Sequence, residues 1–357
     1  MKKLTYLISA IAAGFTASAH ADVSVSGSGS ATYISNQAND GIVTVGSAVS
    51  FGLSTTTANG MAISTSLALS QDPDADGGPG GDGGQAISFA TGGSTITVGD
   101  VEISDTTGAV GGVVGGVLDD NSGLNSDVET AFDDDDGTGV TLSTAVGGAT
   151  LTVGYIADLN TNDKANIDAT TAETATSAVV SMPMGGFTLT AGIGSSDTES
   201  SSGASIAYAM GGGTLTVGYA SMDLTAVTTD GGDATANDLS ADGTSTVLGA
   251  TYSMALDADT SISIGYAAYD VRTGTATTQP STYSLNTSTG AIVTNATASL
   301  LAAGSSSGTE TNVSVVRALG GGASVFADFG TVSGTTGSTG ASTGETSAVA
   351  IGTSVSF

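Results

Sequence analysis

One unit recurs through this chain: an alternating run, a paired-glycine turn, a second alternating run and a polar connection. The second run is clearest at 94–100 (STITVGD), 149–158 (ATLTVGYIAD), 187–197 (FTLTAGIGSSD), 214–223 (TLTVGYASMD) and 261–270 (SISIGYAAYD). Strict alternation marks a β-strand with two unlike faces. One face takes apolar residues: Ile96 and Val98; Leu151, Val153 and Tyr155; Leu215, Val217 and Tyr219; Ile262, Ile264 and Tyr266. The other takes Ser, Thr and a glycine, which is Gly99, Gly154, Gly192, Gly218 or Gly265. Gly92-Gly93, Gly147-Gly148 and Gly185-Gly186 supply the positive φ that a two-residue hairpin needs.

Extending the unit along the chain predicts sixteen strands, at 22–35, 42–56, 60–71, 85–91, 94–101, 139–147, 149–158, 173–183, 186–195, 203–210, 213–223, 244–255, 260–271, 310–319, 322–333 and 345–357. An even count puts both termini at one end. Connections at that end are short. Those at the other, 36–41, 72–84, 102–138, 159–172, 196–202, 224–243, 272–309 and 334–344, are long. This asymmetry, with amphipathic strands of about ten residues, is the signature of an outer-membrane barrel. In a bilayer every backbone N–H and C=O must be paired, and a closed barrel leaves no free edge. The fold class expected is all-β, a 16-stranded antiparallel transmembrane β-barrel, wide enough for an aqueous channel. Tyr155, Tyr219 and Tyr266 end their apolar stripes on the loop side, and Phe357 ends the last strand. They are the candidates for an aromatic membrane girdle. A β-sandwich core would also use tyrosines, but it does not explain the loop asymmetry.

The N-terminus reads as an export leader. Lys2 and Lys3 precede an apolar stretch at 4–15, and Ala19-His20-Ala21 fits a cleavage site. The organisation expected is a signal peptide at 1–21 and a barrel at 22–357. Residues 22–357 hold Lys164, Arg272 and Arg317 against 34 acids, a net charge of 3 − 34 = −31. Nucleic acid, which requires a basic surface, is excluded as a partner, and cations are the expected company. The chain has no Cys, and its one His, His20, lies in the leader. No thiolate site, triad or imidazole base can be built. Carboxylate-pair chemistry is the enzymology left over, and no enzyme activity is expected.

Charge is most concentrated at 100–136. This stretch holds Asp100, Glu102, Asp105, Asp119, Asp120, Asp127, Glu129, Asp133, Asp134, Asp135 and Asp136, and no Lys, Arg or His. Loops longer than about 12–15 residues are usually functional or disordered. Four of the five repeated segments place Ile or Tyr after the wall glycine; the fifth places Asp100. A charge in a lipid-facing stripe is costly, so that strand is expected to end by Gly99. Rings of Asp and Glu make cation channels selective. The stretch is therefore the candidate pore constriction, and the pore is expected to prefer cations. An acidic flap outside the pore is the alternative. By alternation Arg317 shares the lipid face with Val313, Val315 and Leu319, and it is expected to snorkel to the nearby turn-side interface. Lys164 and Arg272 fall in predicted outer loops.

Taken together, the leader, the start at Asp22 (DVSVSGSG), the repeated GGxTLTVGY strands and the terminal Phe357 resemble Gram-negative outer-membrane general porins. The likeness is greatest to the acidic, Gly-rich alphaproteobacterial, Rhodobacter-like type, and it covers all of 22–357. The resemblance implies a homotrimer in outer-membrane lipid that passes small polar solutes and ions. It also implies that the third long loop, here 102–138, folds into the barrel as a constriction loop. In familiar porins acids on that loop face arginines on the opposite wall; no such basic half is visible here.

Two further motifs point to calcium. The segment at 72–77 (DPDADG) matches the first half of an EF-hand loop, with Asp72, Asp74 and Asp76 as ligands and Asp82 near its end. The closing Glu is missing, so a solvated acidic loop is the competing reading. No other cofactor is expected. Within 272–309, residues 281–285 and 291–300 read as a small extracellular hairpin. The rival function is a secreted, acidic, calcium-binding adhesin or surface-layer protein. That protein would carry tandem calcium repeats and no terminal barrel strand.

Overall fold

The structure, a computed structural model, describes residues 21–36, 39–71, 86–103, 135–158, 174–196, 199–224, 243–273, 283–286, 291–294, 304–336 and 341–357. The strands are β1 (Ala21–Asn36), β2 (Asn39–Thr56), β3 (Ala62–Gln71), β4 (Ala86–Thr91), β5 (Ser94–Ile103), β6 (Asp135–Val146), β7 (Ala149–Asp158), β8 (Ala175–Met184) and β9 (Phe187–Ser196). They continue as β10 (Glu199–Met210), β11 (Gly213–Leu224), β12 (Gly243–Ala255), β13 (Thr260–Thr273), β14 (Tyr283–Asn286), β15 (Ala291–Thr294), β16 (Gly304–Gly320), β17 (Ala323–Thr336) and β18 (Ala341–Ser356). Sixteen of them close one antiparallel barrel, and β14 pairs only with β15 as a separate hairpin. The barrel and the hairpin both follow the sequence expectation.

Neighbouring strands pair in chain order, so local hairpins build most of the wall. At the turn end, Gly92 and Gly93 take φ of 58° and 83° and join β4 to β5. Such angles are open to glycine at no steric cost. Closure comes from β1 against β18, in register from Ser28 with Ser356 to Asn36 with Ala348. Gly27 N–H donates to Phe357 O at 2.9 Å and Phe357 N–H returns to Gly27 O at 3.0 Å. Apolar side chains point outward and stay exposed, among them Val217, Leu248, Ile264 and Ile351. Lipid, not a protein core, is their solvent.

The strands outrun the boundaries that hydrophobicity suggests. Only 37–38 lies between β1 and β2, and only 197–198 between β9 and β10, so these two loop-end connections are short rather than long. β2 has 18 residues, whereas about 9–11 tilted residues cross the hydrocarbon. The excess extends past the membrane, where backbone pairing needs no apolar face.

This corrects the reading of Asp100. The strand does not end by Gly99. β5 runs to Ile103, with Asp100 opposite Thr138, Glu102 opposite Asp136 and Ile103 opposite Asp135. The connection is therefore 104–134, not 102–138. Val98, Val140 and Tyr155 form one row across β5, β6 and β7, and Asp100 sits one pair above that row. At that height a carboxylate is beyond the hydrocarbon and the strand has no reason to stop.

Candidate functional site

The candidate site is the lumen, and alternation decides which side chains line it. Outward positions are exposed at Tyr155, Tyr219 and Tyr266, so Gly154, Gly218, Ala220, Gly265 and Ala267 face inward. The wall is chiefly Ser, Thr, Gly and Ala. Hydroxyl pairs join neighbouring strands on the inner face: Ser88 with Thr97 at 2.9 Å, Ser143 with Thr152 at 3.3 Å, and Ser181 with Thr190 at 3.2 Å. Ser253 with Ser263 at 3.0 Å and Ser324 with Ser354 at 2.7 Å continue the set. Cross-strand hydroxyl pairs stiffen a sheet modestly and keep the wall wettable.

Three polar side chains break this neutral pattern. Glu310 and Asn312 on β16 and Asp328 on β17 face inward and are buried, at 1%, 3% and 3% exposure. Asn312 lies opposite Gly265 and Gly330, and Asp328 lies opposite Ser314. Charge counting by segment passes over them. Their signal is the alternation itself, since Glu310, Asn312 and Ser314 interleave with Thr311, Val313 and Val315. Two inward aromatics flank them. Tyr269 lies against Gly308, and Phe326 lies against Gly352.

The loop end of β5 to β8 carries an inward apolar patch. Val101, Ile103, Ile156 and Ala175 form one buried cluster on the lumen side. Asp100 alternates with Val101 and falls on the outer face with Ile96 and Val98, so it does not line the pore. Glu102, Asp135 and Asp136 are placed by register on β5 and β6. Asp105, Asp119, Asp120, Asp127, Glu129, Asp133 and Asp134 lie outside the described residues, as do the calcium candidates Asp72, Asp74, Asp76 and Asp82. Among the described residues no group of three or more potential metal ligands gathers.

The outward residues proposed as a girdle are solvent-exposed: Tyr155 44%, Tyr219 50%, Tyr266 46% and Phe357 81%. Arg317 is outward and exposed, with Nη1 donating to Thr260 Oγ1 at 3.4 Å beside the turn at 256–259. Arg272, expected in a loop, instead sits at the end of β13 and pairs with Asp270 at 2.7 Å on the outer face. Lys164 lies outside the described residues. Thus no Lys or Arg faces the lumen among the described residues.

A family model for Gram-negative porins matches residues 8–337. No curated protein sequence matches the chain. Among solved structures, OmpT of Vibrio cholerae in its in-vitro folded trimer form has a TM-score of 0.64 at 13% identity, covering 94% of this chain and 99% of that one. The anion-selective porin from Comamonas acidovorans has a TM-score of 0.61 at 12% identity, covering 95% and 100%. A mutant of the Rhodobacter blastica porin has a TM-score of 0.55 at 12% identity, covering 94% and 100%. At such identities the likeness to these structures is one of fold.

Proposed function

The chain belongs to the Gram-negative porin family, and from that membership we propose a cation-preferring general diffusion porin of the acidic alphaproteobacterial type. It is a non-enzymatic outer-membrane channel, which sets aside the adhesin reading. One observation carries the cation preference. Among the described residues the lumen offers hydroxyls, Glu310 and Asp328 but no Lys or Arg. Fixed carboxylates without fixed cations enrich mobile cations inside a narrow aqueous path. Small neutral solutes pass over the same wall, because hydroxyls replace hydration without holding a solute tightly.

The acidic segment 104–134 is proposed to enter the lumen as the constriction. Support comes from its anchors, since Ile103 faces inward and is buried at the point where the segment begins. Residues 1–21 are proposed to be removed on export, leaving Asp22 first. Tyr155, Tyr219, Tyr266 and Phe357 are proposed to sit at the lipid interfaces.

A homotrimer is the proposed assembly, as in the OmpT trimer form. The seam between β3 and β4 supports it. These strands share four register pairs, from Ala62 with Ala90 to Thr65 with Ile87, the fewest in the barrel among the described residues. Exposed Leu67, Leu69 and Ile87 flank this seam. A partly unpaired, apolar edge is a liability unless a neighbour covers it.

Reversal potentials in a KCl gradient across a planar bilayer test the selectivity. A cation-selective sign that weakens when 104–134 is shortened is the expected outcome. Anion preference in the native channel would overturn the reading.

A further inference from the structure

The charge of this barrel is distributed very unevenly along its axis. The turn end carries Asp22, Asp257, Asp259 and Arg317, a net −3 + 1 = −2. The remainder of residues 22–357 carries 31 acids, Lys164 and Arg272, a net −31 + 2 = −29. Topology puts that remainder at mid-wall or toward the other end. Glu310 lies ten residues before Gly320, and Asp328 six after Gly322. The other acids fall on the loop-side ends of strands or in the segments that join them there.

The inner wall repeats the asymmetry. On the turn-side half, the inward positions of the described strands are Ser, Thr, Gly, Ala and a few apolar residues, with Asp22 alone at the rim. Ser88, Thr97, Ser143, Thr152, Ser181 and Thr190 exemplify this neutral zone, each four residues from a turn glycine. The channel is thus a neutral tube in series with a strongly acidic one.

We propose that this arrangement makes the channel an ionic rectifier, passing cations more readily from the acidic mouth to the neutral exit than in reverse. The proposal rests on the cation-preferring reading. When the field drives cations from the acidic zone, they enter the neutral zone while anions arrive from the opposite bath. Those anions are held back at the acidic boundary, so salt accumulates in the neutral zone and conductance rises. Under the opposite field both ions leave the neutral zone, and the acidic zone supplies no anions to refill it. The neutral zone is depleted and conductance falls. Screening sets the range of the effect. The Debye length is about 10 Å at 0.1 M salt and about 3 Å at 1 M, so rectification belongs to dilute salt.

The test is current against voltage for single channels of the full-length, folded protein in symmetric KCl. Orientation is fixed with Ala258→Cys on the exposed turn at 256–259, labelled from one side; the chain has no other cysteine. At 0.1 M KCl the current should be larger when the loop side is positive, and the ratio should fall to one at 1 M. Millimolar MgCl2 added on the loop side should reduce the ratio, and the same addition on the turn side should not. Placing charge in the neutral zone with Ser143→Asp and Ser354→Asp should also reduce it. If those variants fail to fold, the one-sided magnesium result decides. A linear or oppositely bent curve from a channel that still prefers cations overturns rectification alone. A reversal potential of anionic sign overturns the underlying reading as well.

Discussion

Ile103 of β5 lies against Gly154 of β7, across the intervening strand. A Cβ built on Gly154 would stand 2.3 Å from Ile103 Cγ2 and 2.9 Å from its Cβ. The crossing is open because β6 presents Gly137 and Gly139 at the same height, opposite Val101 and Gly99. Ile103, Ile156, Val101 and Ala175 then close over the gap as one buried patch. Glycine here serves close approach rather than an unusual turn. Gly154→Val forces Ile103 off the wall, and overpacking of this kind costs about 1–3 kcal/mol. Urea unfolding followed by the heat-modifiable gel shift should show the folded band lost at lower denaturant. An unchanged midpoint would mean that Ile103 does not rest there.

Adjacent residues on β11 face different solvents and should respond in opposite ways to one substitution. Val217 is outward and 42% exposed, while Thr216 points into the lumen beside Ala207 and Thr251. Val217→Arg places a charge in the lipid band, and should lower stability by about 2–4 kcal/mol if it sits near mid-depth. Thr216→Arg keeps its charge in water, so the barrel should fold normally. Its effect should appear in the reversal potential, which moves toward anions. Equal destabilisation by both changes would refute the assigned faces.

The barrel closes where the last residue meets the first strand. The Phe357 ring covers Gly27, and a Cβ there would lie 2.4 Å from its Cζ. An aromatic ring laid over a glycine shields exposed backbone. Gly27→Val should displace the ring and cost about 1–3 kcal/mol by overpacking. Phe357→Ala should cost less, since the ring is already 81% exposed. Residues in contact couple, so the double variant should be more stable than the sum of the single losses allows. Strict additivity in thermal melts would deny the contact.

The sixteen barrel strands were legible because period-2 alternation and paired glycines are local signals. Their loop-side ends were not. β16 begins at Gly304 and its first residues, GSSSGT, pair with β13 without any apolar stripe. Hydrogen bonding alone extends the strand there, and it leaves no pattern to read. The hairpin β14–β15 was visible because it alternates. Asp100 was misplaced because the cost of a charge in lipid was applied to a residue already above the lipid. Glu310 and Asp328 show the complementary difficulty: their faces were readable, but their burial depends on what covers them in three dimensions.

The turn at 256–259 replaces the paired glycines used elsewhere with Leu256, Asp257, Ala258 and Asp259. Asp257 Oδ1 accepts from the Asp259 N–H at 2.8 Å, an Asx-type closure. That bond, together with the Thr260 hydroxyl, holds the Asp257 carboxyl below the ordinary carboxylate range, and Arg317 adds a smaller contribution. The sign follows from linkage. A carboxyl depressed in the folded state stabilises fully above its unfolded pKa of about 3.9. This contribution is lost as pH falls through the lower folded value. Acid should therefore loosen this turn, and Asp257→Asn should lower stability at neutral pH while flattening its decline below about pH 4. Thermal melts of both proteins across pH 2–7 check this. Parallel acid profiles for the two would show that Asp257 is not the titrating group.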